Sequence, residues 1–309
     1  MRVAFAEKLG GIGSVQVGQL PAPVPAPGQA LVRVHAAGVG PWDVGFLQGG
    51  FPGVSLPFVP GQEIAGVVDT AEEGGGVKPG DRVYGTLFPA GGGFAELAVI
   101  DVGRLAPLPA EADFLEAAGL VIAAGTAHEG LTDRGQLKPG QSVLVTAAAG
   151  GVGSAAVQIA AALGARVLGV ASPANHDYVR SLGASDVFDY HADGWARQVR
   201  AAASGGVDLL MDCVGGQTRD QAISAVRDGG RASFIVLQDA PPKLERGITG
   251  ESFAAHVDRP RLEALSRLVD VGQLRPHIAE AMALDEAGEA LTRVAGRHTR
   301  GKIVLQVRQ

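Results

Sequence analysis

The chain has 309 residues, 46% hydrophobic and 19% charged, a globular balance with apolar material for about two domains of roughly 150 residues. Gly (46) and Pro (18) are in excess without a Gly-X-Y period or a long polar tract, which excludes collagen and wholesale disorder. The one cysteine, Cys213, excludes a disulfide framework and any zinc site with two thiolates; the net charge of −6, with no Lys/Arg cluster, argues against nucleic acid or a membrane surface as partner.

Met1–Glu7 reads as an alternating strand start rather than a signal peptide, so a cytoplasmic protein is expected. Strands are predicted at Val3–Ala6, Ser14–Val17, Ala30–Ala36, Glu63–Thr70, Arg82–Gly85 and Gly93–Val99. The proline-rich Pro21–Gly28 and the turn Lys78–Asp81 punctuate them as connecting loops. This half reads as an all-β barrel or sandwich. Asp113–Arg134 is helix-like. Strands and helices then alternate. Strands are expected at Ser142–Thr146, Arg166–Ser172, Asp186–Phe188, Val207–Asp212 and Arg231–Val236. Helices are expected at Val152–Leu163, Asn175–Leu182, Trp195–Ala203 and Arg219–Arg227. That alternation predicts βαβ units and a parallel sheet covered on both faces. Beyond Pro241, Arg261–Val269 and Leu284–Val294 read as amphipathic helices and Lys302–Val307 as a strand. Gln141–Ala165 carries no charge, yet its small, glycine-rich centre favours a buried strand, turn and helix over a membrane span.

The strongest local signal is Val143–Gly153, VLVTAAAGGVG, which follows a predicted strand and opens a predicted helix. In the dinucleotide fingerprint its positions are Ala148, Gly150 and Gly153. The second position must lack a Cβ so that a pyrophosphate can approach; the third lets helix and strand pack closely. Amides near Gly151–Ser154 would face the phosphates. The competing reading is a tight glycine turn with no ligand. The next strand ends in Ala171-Ser172-Pro173-Ala174-Asn175-His176, without the acid that holds the ribose of NAD. That favours NADPH, although no Arg or Lys stands there either; Ser172, Asn175 and His176 would serve as donors.

Together these residues resemble the medium-chain dehydrogenase/reductase superfamily, in its zinc-free quinone oxidoreductase branch. Similar landmarks run in order along the chain: Pro60–Gly66, Val77–Val83, Gly92–Glu96, Ala147–Gly153, Leu182–Ala184, Phe188–Tyr190, Asp212–Gly216 and Thr299–Leu305. The resemblance implies an α/β fold with a GroES-like substrate domain over 1–118, rejoined by 251–309. A Rossmann doubly wound parallel-sheet domain over 119–250 would bind NADP. It also implies an active site in the cleft between them and a homodimer. Carried over by position, Gly150, Gly151 and Val152 would hold the pyrophosphate. Ser172, Asn175 and Tyr190 would take the 2′-phosphate end. Thr126, Val214 and Ile235 would line the nicotinamide end, with Arg297 reaching in from the C-terminal segment. Gly40, Trp42, Gly45 and Gln62 would line the substrate pocket, and Phe253 reads equally as a residue flanking the substrate or as core packing.

In zinc-dependent relatives a Cys stands at the place of Gly40 and a His at that of Gln62, so no metal is expected. Without a Lewis acid, hydride transfer to a quinone or an α,β-unsaturated carbonyl remains. Gly40 and Gly45 replace polar family residues and are expected to enlarge the pocket for a bulky, flat acceptor, reshaped by Trp42 and Phe46. No dedicated acid or base is identified. Asp43, Tyr84 and His128 are weak candidates beside their readings as loop-fixing, buried-strand and packed-helix residues. Glu63 reads as a loop-fixing carboxylate and Cys213 as a small buried residue. Ser154 lacks the G-x-S-x-G frame of a nucleophile elbow. The leading reading is an NADPH-dependent, zinc-independent quinone or enone reductase. The alternatives are a non-catalytic cofactor-binding sensor or structural protein, and a dedicated biosynthetic enoyl or alkenal reductase.

Overall fold

The computed structural model describes every residue except Pro52, Gln238 and Gln309. In chain order the elements are β1 (Arg2–Ala6), β2 (Val15–Gln19), β3 (Gln29–Val39), α1 (Pro41–Leu47), β4 (Glu63–Ala71), β5 (Arg82–Thr86), β6 (Leu97–Asp101) and β7 (Leu105–Pro107). Then come α2 (Phe114–Glu129), β8 (Ser142–Val145), α3 (Gly151–Ala162), β9 (Arg166–Val170), α4 (His176–Ser181), β10 (Asp186–Phe188), α5 (Trp195–Ala202) and β11 (Val207–Asp212). The last are α6 (Gly216–Ser224), β12 (Val226–Phe234), β13 (Thr249–Ser252), α7 (Arg259–Asp270), β14 (Ile278–Ala283), α8 (Ala287–Ala295) and β15 (Lys302–Gln306). The chain divides into two units, Met1–Ile122 with Val257–Gln309, and Ala123–His256.

The described residues of the first unit form a seven-stranded sheet in the order β14-β15-β3-β4-β5-β7, with β6 also on β3, beside a β1-β2 hairpin. β3 shows why. Its alternation buries Ala30, Val32 and Val34 while Gln29, Leu31 and Arg33 lie between them at partial exposure. The core beneath holds Phe46, Phe58, Phe94, Ile64 and Leu105, each worth roughly 1.5–3 kcal/mol of burial.

The described strands of the second unit form one sheet in the order β10-β9-β8-β11-β12-β13, and every pairing is parallel. The strand order reverses between β8 and β11, the two central strands. Val143, Leu144, Val145, Leu209, Leu210 and Met211 are all buried there, as a sheet covered on both faces requires. The chain is therefore α/β, a β-rich unit and a doubly wound parallel sheet. Among the described residues no helix is long and apolar enough to cross a membrane; the uncharged 141–165 stretch is β8, its turn and α3.

Some elements differ from their expected bounds. The helix predicted over Arg219–Arg227 ends at Ser224, and β12 starts at Val226 rather than Arg231. Val226 pairs with Val207, and a bulge follows that absorbs Asp228-Gly229-Gly230, residues that read as a turn in isolation. The strand expected at Gly93–Val99 begins at Leu97, because Gly93 and Phe94 donate backbone hydrogen bonds to Gly61 and Pro60 instead. β7 and α1 are too short to show a period, and β13 (TGES) has no apolar residue.

One long-range contact closes the first unit. The Lys302 ammonium at the start of β15 donates to Glu63 at the start of β4 (2.5 Å) and to the Val39 carbonyl (2.9 Å). Glu63 also accepts from the Ile122 amide (2.8 Å), and both side chains are buried. Lys302→Met leaves a buried carboxylate without its cation and is expected to destabilise the fold by about 3–5 kcal/mol, while adding Glu63→Gln recovers much of that loss. Denaturant titration of both variants checks this; strictly additive losses would show that the pair is not coupled.

Candidate functional site

At the end of β8 the chain turns sharply into α3. Ala147 takes a left-handed conformation (φ 46°), and Gly150 is the N-cap of α3 with no side chain capping the helix. A Cβ on Gly153 would lie 2.2 Å from the Ala147 carbonyl oxygen, so only glycine lets α3 seat on its turn. Beside Gly150 a Cβ would meet only that same oxygen, at 3.3 Å. The first-turn amides and the positive end of the helix dipole thus front a cradle without side chains, which fits a pyrophosphate.

A buried network fixes this turn against its neighbour. The Thr146 hydroxyl donates to Asp212 (2.7 Å) and accepts from the Cys213 amide (2.8 Å), and Asp212 accepts from the Gly215 amide (3.0 Å). The ends of β8 and β11 are tied at the reversal of strand order, where ligands bind in such sheets. Burial holds the Asp212 carboxyl above its usual range, partly offset by these hydrogen bonds, and pushes the Cys213 thiol well above its ordinary value. In the sequence Asp212–Gly216 stands only as a landmark, and nothing local points to its Thr146 partner.

The carboxyl ends of successive strands bring most predicted cofactor residues to one edge. Gly150, Gly151 and Val152 follow β8, Ser172 and Asn175 follow β9, Tyr190 follows β10, Val214 follows β11 and Ile235 follows β12. Asn175 donates its side-chain amide to the Ser172 hydroxyl (3.1 Å). His176 is bonded through Nε2 to the Ala171 carbonyl (3.2 Å). Tyr190 is 38% exposed, its ring 4.1 Å from that of His191. Thr126 is buried in α2. Arg297 is exposed just after α8, in the first unit, with φ 57°.

On the first unit, the expected enlargement of the pocket is not what the structure holds. A Cβ on Gly40 would fall 2.1 Å from the Trp42 ring, and one on Gly45 would fall 3.0 Å from Phe51. Trp42 and Phe51 occupy the room that the two glycines vacate. Phe46 does not reshape a pocket; it stacks on Phe51 (4.1 Å between ring centres) and is buried among Phe58 and Phe88. The Lys302 ammonium sits 4.9 Å from the centre of the Trp42 ring. Gln62 is wholly buried; its side-chain oxygen accepts from the Gly91 amide (3.2 Å) and its amide nitrogen has no partner.

The weak acid–base candidates are committed elsewhere. Both carboxylate oxygens of Asp43 are taken by backbone amides, Gly40 (2.9 Å) and Gly61 (3.0 Å), and the residue is fully buried. Burial raises its pKa to about 7, partly offset by those two amides. The Tyr84 hydroxyl donates to the Leu262 carbonyl (2.6 Å) and lies 3.0 Å from Ser266 Oγ; burial drives its pKa up. His128 is half-buried near the end of α2, its Nδ1 3.4 Å from the Thr132 hydroxyl. Phe253 is buried, with the Arg134 guanidinium 5.5 Å from its ring centre. Arg134 in turn grips the buried Glu129 (2.8 Å), an ion pair that sequence reading did not find. Among the described residues no group of His, Cys, Asp and Glu could hold a metal ion. A glycine and a glutamine at positions 40 and 62 do not fit a zinc site.

Two family models match the chain: an alcohol dehydrogenase GroES-like domain over residues 26–110 and a zinc-binding dehydrogenase over 182–305. A quinone oxidoreductase-like protein 2 homologue of Nematostella vectensis is 32% identical over 91% of this chain and 82% of its own. The spectinabilin polyketide synthase system protein NorB of Streptomyces orinoci is 38% identical over 85% of this chain, which spans only 12% of that protein. Among solved structures, one described as an NAD-dependent alcohol dehydrogenase superposes with a TM-score of 0.92 at 31% identity, covering 100% of both chains.

Two outcomes follow from the committed carboxyl and hydroxyl. The folded Asp43 pKa, about 7, lies above the value near 4 of an unfolded chain, so the folded state keeps a proton that the unfolded state loses. Stability therefore falls as pH rises through roughly 4 to 7, and Asp43→Asn removes that component. Melting temperatures of both proteins across this range check it; an unchanged gap between them contradicts it. Tyr84→Phe should cost about 1–2 kcal/mol in the same melts while leaving turnover unaltered. A fall in kcat would return Tyr84 to the chemistry.

Proposed function

The chain belongs to the medium-chain dehydrogenase/reductase superfamily, an oxidoreductase family, and stands among its quinone-oxidoreductase-like members; from this premise we propose an NADPH-dependent, zinc-independent reductase of quinones or α,β-unsaturated carbonyls. The observation that carries the nucleotide half is the side-chain-free cradle at the start of α3, seated by Gly153 on the Ala147 carbonyl.

Each group of residues then has a task. The amides of Gly151, Val152 and Gly153 offset the pyrophosphate charge. The Thr146–Asp212–Gly215 network keeps that turn in place. Ser172, already aligned by Asn175, offers its hydroxyl proton to a 2′-phosphate, with Tyr190 beside the adenine ribose. Thr126, Val214 and Ile235 line the nicotinamide end, and Arg297 adds a cation. When bound, the reduced nicotinamide supplies a hydride. On the first unit, Gly40 and Gln62 stand at the places of metal ligands and Trp42 presents an aromatic wall. An acceptor that conjugation makes electrophilic suits such a site. A cytoplasmic homodimer is proposed on the family likeness, with exposed β13 at the edge of the parallel sheet as the pairing strand.

A second reading, a dedicated biosynthetic enoyl reductase, is favoured by the 38% identity to part of a polyketide synthase protein. A panel of quinones, enones and enoyl thioesters separates the two. The first reading predicts turnover of simple quinones or enones; turnover confined to enoyl thioesters selects the second. NADPH is expected to exceed NADH in kcat/KM. Ser172→Asp should reverse that order by at least about tenfold, since an acid at this position holds the free ribose and repels a 2′-phosphate. An unchanged NADPH preference in this variant would remove Ser172 from the binding site.

A further inference from the structure

We propose that Gln62 and Trp42 form a paired hydrogen-bond donor for the carbonyl oxygen of the acceptor, and that they hold the negative charge this oxygen gains during reduction; the proposal rests on the carbonyl-reductase reading above. In the first unit two nitrogen donors, Gln62 Nε2 and Trp42 Nε1, are shielded from solvent and have no partner. Buried donors are almost always satisfied, so an unmet one at a built site marks a ligand atom. The Gln62 orientation is fixed, because its oxygen accepts from the Gly91 amide, which leaves the NH2 group as the free end.

One carboxylate ties together the two loops that carry these donors. Asp43, next to Trp42, accepts from the Gly40 amide; its other oxygen accepts from the Gly61 amide, next to Gln62. Asp43 is thus a positioning residue that clamps the loop of one donor to the loop of the other. The Trp42 ring packs against Gly40, where any Cβ would collide with it, and the Lys302 ammonium lies over its face. Lys302 is itself neutralised by Glu63, so the site offers N–H dipoles rather than a net charge.

Only an acceptor atom satisfies two N–H groups, which excludes a cation. During reduction the β-carbon of an enone gains a hydride, the C=C π pair shifts to join the α-carbon and the carbonyl carbon, and the C=O π pair moves onto the oxygen, which becomes an enolate oxygen. The hydride electrons come from the reduced nicotinamide, which is oxidised, and water supplies the proton that completes the product. Donors that bond that oxygen hold it more strongly as charge develops. The same holds for a quinone oxygen becoming a hydroquinone anion.

The test uses the full chain and 4-nitrophenol, whose phenolate mimics an enolate and absorbs in the visible. No nucleotide is needed for this arm. The wild type should bind the phenolate in preference to the neutral phenol. Trp42→Phe, which keeps the ring and loses the N–H, and Gln62→Met should each weaken phenolate binding by about 10- to 100-fold, the range for a hydrogen bond to a charged group. Both should lower kcat/KM for an enone by about 10²–10³-fold while nucleotide binding is unchanged. Thermal melts confirm that each variant is folded, and Trp42→Phe stands alone if Gln62→Met is not. Absence of saturable phenolate binding by the wild type, or wild-type binding by both variants, overturns the donor pair. Phenolate binding that depends on both residues, in a protein that reduces no conjugated carbonyl with either nucleotide, upholds the pair and overturns the reductase reading instead.

Discussion

The first unit depends on a buried charge pair that joins residues 239 positions apart in sequence, Glu63 and Lys302. A carboxylate and an ammonium taken out of water each carry a desolvation cost of several kcal/mol, which only their partner and further hydrogen bonds offset. The Val39 carbonyl and the Ile122 amide complete those bonds. The chain segment that returns after the second unit must therefore enter beside β3 in one register, or leave a bare charge in the core. Apolar residues at both places would pack without fixing that register. The same ammonium faces Trp42, so the pair that closes the fold also sets one wall of the candidate acceptor site.

The second unit solves a different problem. Its central strands β8 and β11 are parallel and buried, and their carboxyl ends leave backbone groups that must be satisfied. Thr146, Asp212 and Gly215 satisfy some of them among themselves. The amides that open α3 are left without a capping side chain, because small residues run from Ala147 through Gly151. A helix that could have been capped by Ser or Asp is instead left uncapped, which is what a phosphate site at its start requires. That uncapped start lies where the described strand order reverses.

The glycine turn was legible in the sequence because its requirement is one of backbone contact: Gly153 meets the Ala147 carbonyl, and no other residue fits. The alternation of β and α elements was legible because the parallel strands carry short apolar runs, Val143–Val145 and Leu209–Met211 among them, between helix-length segments. What could not be read is side-chain filling. Gly40 and Gly45 suggest space in the sequence, yet Trp42 and Phe51 fold back into it. Asp43 reads as a loop-fixing residue in the sequence, and the fold supplies its partners, the Gly40 and Gly61 amides. Strands such as Thr249–Ser252 escape sequence reading because partner backbone, rather than their own pattern, makes them strands. The Thr146–Asp212 bond spans 66 residues with no local sign of it.

The central claim is that a nucleotide held at the start of α3 delivers its hydride to a conjugated carbonyl. A single turnover with NADPH carrying deuterium at C4 of the nicotinamide, and an enone in ordinary water, tests it most directly. The account predicts one deuterium at the β-carbon of the saturated product and a proton from water at the α-carbon, in step with nucleotide oxidation. Product without deuterium, with nucleotide carrying the label on either face, or no oxidation of either nucleotide, would contradict it.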